Sequence, residues 1–169
     1  GRFVIQTQSD GPVSMLVCDA RADGSLRGYA KLDEEAFAAL GDSPTQQDML
    51  GAGHIAFTVD QGADMERYQG IVPLEDNLLT AALTYFSGSE QVQTHVKLTA
   101  MPLFRPGGDM EWRAGGIMIQ QTALQGGSDT GRTSTHDDWV RMQTLMETTK
   151  PDELLDPELS PEQLVYRLY

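Results

Sequence analysis

Three kinds of residue in this chain could do chemistry. The first is Ser89, in Ser87-Gly88-Ser89-Glu90-Gln91, where a serine beside a glycine invites a nucleophile on a sharp turn. A hydrolase elbow places its serine between small residues, as G-x-S-x-G, and enters it from a strand. Here the glycine precedes the serine, an apolar helical pattern leads in and a strand pattern leads out, which is the reverse order. Gly88 therefore reads as a helix terminator. It is no phosphate cradle either, because those open a helix N-terminus and this glycine closes a helix. The second kind is metal-ligating: His54, His95 and His136 are widely separated, with no H-x-x-x-H or H-E-x-x-H spacing. The lone Cys18, in Leu16-Val17-Cys18, has no basic neighbour to lower its pKa and is expected to be a small core residue. The third kind is paired carboxylates. Asp33-Glu34-Glu35, Glu75-Asp76 and Asp137-Asp138 all stand at helix starts, where the dipole accounts for them. Neither catalysis nor metal binding is expected.

The elements that would position these residues change character along the chain. Residues 3–8, partly alternating, 13–19, apolar on both faces, and 26–30 read as strands separated by Ser9-Asp10-Gly11-Pro12 and Ala22-Asp23-Gly24-Ser25, and predict an antiparallel meander. Asp33 opens a short helix ended by Gly41, and one further turn is expected near Asp48-Met49-Leu50. Strands are expected at 54–59 and 67–72. Then Asp76 is read as the N-cap of a helix over 76–87, with Leu79, Ala82, Leu83 and Phe86 on its buried face and Gly88 at positive φ beyond it. Strands follow at 92–104 and 112–122, where Gly115-Gly116 suggests a bulge or a close backbone approach. A polar stretch, 125–135, reads as a linker. Beyond it the pattern is helical, divided by Pro151, Pro157 and Pro161.

The fold class is thus α+β: a mainly antiparallel core with interposed helices over 1–127, then a helical region over 128–169 packed on it. In that region Trp139, Met142, Leu145, Met146, Leu164, Val165 and Leu168 fall at one-face spacing. They are expected to be largely buried, as a flap that can hide an apolar surface and expose it. Such a flap has a thin stability margin, since ordering each residue costs about 1–2 kcal/mol of backbone entropy. It is also a natural segment for swapping in a homodimer.

A net charge of −13 disfavours nucleic-acid binding, because phosphate backbones are repelled. No apolar run is long enough to cross a bilayer and no signal-peptide pattern opens the chain, so no membrane association is expected. Eight methionines serve either flexible core filling or an adaptable surface for varied apolar partners, and composition leaves both open.

Several spaced motifs give the chain a family likeness: Ser9-Asp10-Gly11-Pro12-Val13, Leu26-Arg27-Gly28-Tyr29-Ala30, Tyr68-Gln69-Gly70-Ile71-Val72-Pro73-Leu74, Tyr85-Phe86 with Ser89-Glu90-Gln91 and Thr94, and Ala114-Gly115-Gly116-Ile117-Met118-Ile119-Gln120. In this order they resemble the redox-regulated bacterial heat-shock chaperone family, the thirty-three-kilodalton chaperonin. The resemblance implies an ATP-independent, cytoplasmic holdase that binds unfolding or partly unfolded proteins under oxidative and heat stress. It implies no enzymatic activity. It also implies a zinc module of four cysteines whose oxidation releases zinc and unfolds the helical linker. This sequence has one cysteine, so it is expected to be a fragment with no cofactor of its own, comprising core and linker without the zinc module or the segment before Phe3. The competing readings are an acidic scaffold for one folded partner and, behind it, a hydrolase using Ser89.

Overall fold

The alternating segments at the start of the chain pair as their turn residues demand. In the computed structural model, which describes residues 1–62, 67–89, 91–104, 107–121 and 136–169, the chain forms two compact units, Gly1–Gln91 and Val92–Tyr169. The boundary expected at 127/128 and the polar stretch 125–135 lie outside the described residues. In the first unit, β1 (Arg2–Ser9), β2 (Val13–Arg21), β3 (Leu26–Leu32), β4 (Gly53–Asp60) and β5 (Tyr68–Pro73) form one antiparallel sheet in the order β3-β2-β1-β4-β5. Two short helices, α1 (Glu34–Ala38) and α2 (Gln46–Leu50), join β3 to β4. Asp33 caps α1 by accepting from the Ala36 N–H at 3.0 Å, as expected. Thr45 and Asp48 form a reciprocal capping box on α2.

One face of this sheet is closed by α3 (Leu78–Gly88). Its core comprises Ile55, Phe57, Val72, Ala81 and Tyr85, flanked by Phe3 and Ile5. The Tyr85 ring stacks on Phe57 with centroids 4.2 Å apart. Across the ladder from Phe57 stands Gly70, and a methyl group there would run into the Tyr85 ring. The absence of a side chain at Gly70 is what lets α3 settle against β5.

Three local expectations are corrected. Asn77, not Asp76, caps α3: its extended backbone lets the side chain accept from the Thr80 N–H at 2.9 Å. Gly88 is the last helical residue and does not have positive φ. Ser89 keeps helical angles and donates its N–H to the Tyr85 carbonyl, so the left-handed residue is deferred to Gln91 at φ 53°. Cys18 is exposed and not in the core. It pairs with Ile5 and so points to the side that carries α3, but the core is built from β4, β5, α3 and residues of β1. Cys18 lies one strand farther out, opposite the bare Gly28.

The second unit joins a long hairpin, β6 (Thr94–Phe104) and β7 (Met110–Gln120), to α4 (His136–Glu147), α5 (Pro151–Leu155) and α6 (Pro161–Leu168). The helical region therefore packs on sheet residues, as the fold class required, through α4 and α5 against both strands of the hairpin.

The packing at Gly70 makes a direct test. Gly70→Ala should destabilise the protein by about 1–3 kcal/mol through overpacking. Gly28→Ala, where an added methyl meets nothing within 4 Å, should change stability by no more than about 0.5 kcal/mol. Urea unfolding of the two variants reads the difference.

Candidate functional site

The residues singled out as chemical candidates are dispersed. Ser89 ends α3 as its cap, and its Oγ makes no hydrogen bond with His54, the histidine of the same unit. His54 is exposed on β4, and His136 is the exposed first residue of α4. His95, on β6, is engaged by Glu147. Among the described residues no group of three His, Cys, Asp or Glu side chains could hold a metal ion. Asp137 and Asp138 occupy the first turn of α4, where the helix dipole favours them.

The hairpin holds a different kind of site. Its eleven residue pairs run without a register shift from Thr94↔Gln120 to Phe104↔Met110, so paired residues share a face and the faces alternate. One face carries His95, Lys97, Arg113 and Gly115, and the helices sit on it. Glu147, the last residue of α4, receives His95 Nε2 at 2.8 Å, and Lys97 Nζ lies 3.3 Å from its carboxylate and donates to its backbone carbonyl at 2.7 Å. These two bases compensate an acid at the negative end of a helix. Arg113 donates to the Leu155 carbonyl at 2.8 Å, satisfying an end group of α5. A methyl group at Gly115 would collide with the Leu154 carbonyl, so the glycine pair marks a close approach and not a bulge.

The other face is apolar along nearly its whole length and open to solvent. Phe104 is 74 % exposed, Trp112 66 %, Leu98 63 %, Met110 55 % and Met118 52 %. No charged residue stands on it. This resolves the two uses of methionine in part, since Met110 and Met118 belong to an exposed surface and Met146 is fully buried. Reading the strands only as core elements missed these residues. The available signal was the alternation itself: both strands keep all their charges on one parity and leave the other without any.

The helical residues divide. Met146, Leu164 and Leu168 are buried, and Trp139, Met142 and Leu145 are half-buried. Val165 is 47 % exposed, contrary to expectation. In α6, Leu164 and Leu168 lie four residues apart and define the inward stripe, which leaves Val165 one step round the helix. Ser160 caps α6, Arg167 pairs with Glu153 of α5, and the Tyr169 hydroxyl donates to the Met142 carbonyl at 3.1 Å. α6 is thus tied to α5 and α4, the two helices that contact the hairpin.

Comparison with known proteins decides the family. The family model described as "Hsp33 protein" matches residues 1–169. The chain belongs to the Hsp33 family. It is therefore a member of a chaperone family. It is 43 % identical to the 33 kDa chaperonin of Caulobacter vibrioides over 100 % of this chain and 56 % of the relative. It is 36 % identical to that of Nitrosococcus oceani, again over 100 % of this chain, and 50 % of the relative. This Hsp33-family chain thus spans about half the length of the curated relatives it matches. The crystal structure of the 33 kDa chaperonin from Thermotoga maritima shares the fold, with a TM-score of 0.66 at 18 % identity, over 99 % of this chain and 54 % of that one.

The Glu147 contacts generate a pH prediction. Hydrogen bonds from His95 and then Lys97 hold its carboxyl below the usual glutamate range. The docking they stabilise is complete above the unfolded value of about 4.3 and is lost as pH falls through the lower folded value. Amide protection of α4, corrected for intrinsic exchange, should stay level from neutrality to about pH 5 and fall below about pH 4. Glu147→Gln should lower protection at neutral pH and flatten that fall.

Proposed function

We infer that this chain is the core and helical linker of an ATP-independent holdase, which binds unfolding proteins and keeps them from aggregating. The observation that carries this reading is the solvent-exposed apolar face of β6–β7. A client that covers one of its large side chains gains about 1.5–3 kcal/mol from that burial. Hydrophobic attraction is non-directional, so this surface favours exposed apolar chain of any sequence over one folded shape. Met110 and Met118 suit that role because an unbranched thioether side chain adapts to differing partners.

The helices on the opposite face act as the regulated part. Trp139, Met142, Leu145, Met146, Leu164 and Leu168 are their buried or half-buried apolar side chains, with Val165 left at the outer surface; release of the helices would add apolar area to the binding surface. Redox control belongs to a zinc module of four cysteines in the whole protein, working in the bacterial cytoplasm. This chain's single cysteine, exposed on β2, cannot form such a site, and no step here runs through zinc.

Light scattering of a thermally aggregating client separates the two surfaces. Trp112→Glu should weaken protection several-fold while leaving the melting temperature nearly unchanged, because the residue is exposed. Met146→Asp buries a charge at a position with no exposure, which costs several kcal/mol while the helices stay docked. It should undock them and raise protection, together with binding of a hydrophobic dye. If Trp112→Glu protects as well as the parent chain, the hairpin face is not the client surface.

A further inference from the structure

The hairpin has two outer edges, and they differ. Among the described residues β6 and β7 pair only with each other, so every second residue of each strand points its backbone N–H and C=O away from the pair. An unpaired edge is a template for another strand, and proteins blunt such edges with proline, lysine or a bulge. β6 carries Pro102, which has no N–H to offer. β7 has neither proline nor lysine, no register shift, and eleven residues in extended form. Its two charged side chains, Glu111 and Arg113, are on the helix-bearing parity. On the open parity it presents Met110, Trp112, Ala114, Gly116 and Met118 beside that edge, with which no other strand pairs among the described residues. The backbone groups and the apolar face are therefore continuous.

We propose that the β7 edge accepts an extended segment of an unfolding protein as an added strand, its backbone paired to β7 and its alternate apolar side chains laid beside Trp112 and Met118. This deepens the holdase reading and rests on it: main-chain pairing is indifferent to sequence, and the side-chain requirement is only apolar alternation. The net charge of −13 adds a second selection. Segments whose intervening residues are lysine or arginine are favoured over acidic ones.

The test uses the 169-residue chain and a fluorescein-labelled ten-residue peptide that alternates Val, Leu or Phe with Lys or Thr, followed by anisotropy. A second peptide has the same side chains but N-methyl groups on two adjacent central residues, which blocks both of its edges. Binding at least tenfold weaker for the methylated peptide, with new amide protection confined to β7, supports strand addition. Equal affinity, or protection on β6 instead, overturns it. Replacing Lys by Glu should weaken binding at least tenfold at low salt, and an unchanged affinity overturns the charge selection. Sedimentation showing a second copy of the chain on that edge, displaced by the peptide, would assign the edge to self-association and overturn the client assignment. A client-aggregation assay run in parallel keeps the two readings apart. Protection of clients with equal peptide affinities sinks strand addition alone, and strand addition without protection sinks the holdase reading alone.

Discussion

A two-stranded ribbon does not hold itself together in water; it needs a third layer to bury one of its faces. That constraint governs the second unit of this chain. β6 and β7 have no further strand among the described residues, and the layer is supplied by α4 and α5. The helices take the face that bears His95, Lys97 and Arg113, where bases can meet a helix-end carboxylate and a helix-end carbonyl. The remaining face is then left to solvent, although it is the more apolar of the two. An ordinary core would place these faces the other way round, and the inversion is the physical mark of a surface kept for something else.

The first unit shows the ordinary solution. Its sheet buries aromatic and β-branched side chains under α3, with Gly70 clearing space for the Tyr85 ring. Its surplus charge is handled on the outer parity, where Arg2 grips the buried Asp19 through two hydrogen bonds of 2.7 and 2.9 Å. The Arg2 hydrogen bond holds the Asp19 carboxyl below its usual range. Comparing the two units isolates what is unusual in the hairpin: length is not the issue, and neither is composition, but only which parity faces the packed layer.

Much of this architecture was legible in the residues. Turn chemistry at Asp10-Gly11 and Asp23-Gly24 separated the first three strands, and Asp33 marked a helix start, because these residues act through local backbone geometry. Failures came where a neighbour not adjacent in sequence decided the outcome. Cys18 looks like a core residue until the width of α3's footprint is known, and Val165 looks like part of the α6 stripe until Leu164 and Leu168 are seen to suffice. The hairpin face was hidden for a related reason. Alternation assigns residues to two faces but does not say which face a helix will cover, and the prior that apolar faces are covered pointed the wrong way. The family likeness was legible because several motifs kept their order over the whole chain.

The central claim is that unfolding proteins are held by the open face of β6–β7. Site-resolved photocrosslinking tests it most directly: a heat-unfolded client carrying a photoreactive label is mixed with the chain, irradiated, and the adducts are mapped by mass spectrometry. The account predicts adducts concentrated on Leu98, Phe104, Met110, Trp112 and Met118. Adducts concentrated instead on the five-stranded sheet of the first unit, with the hairpin face unlabelled, would contradict it.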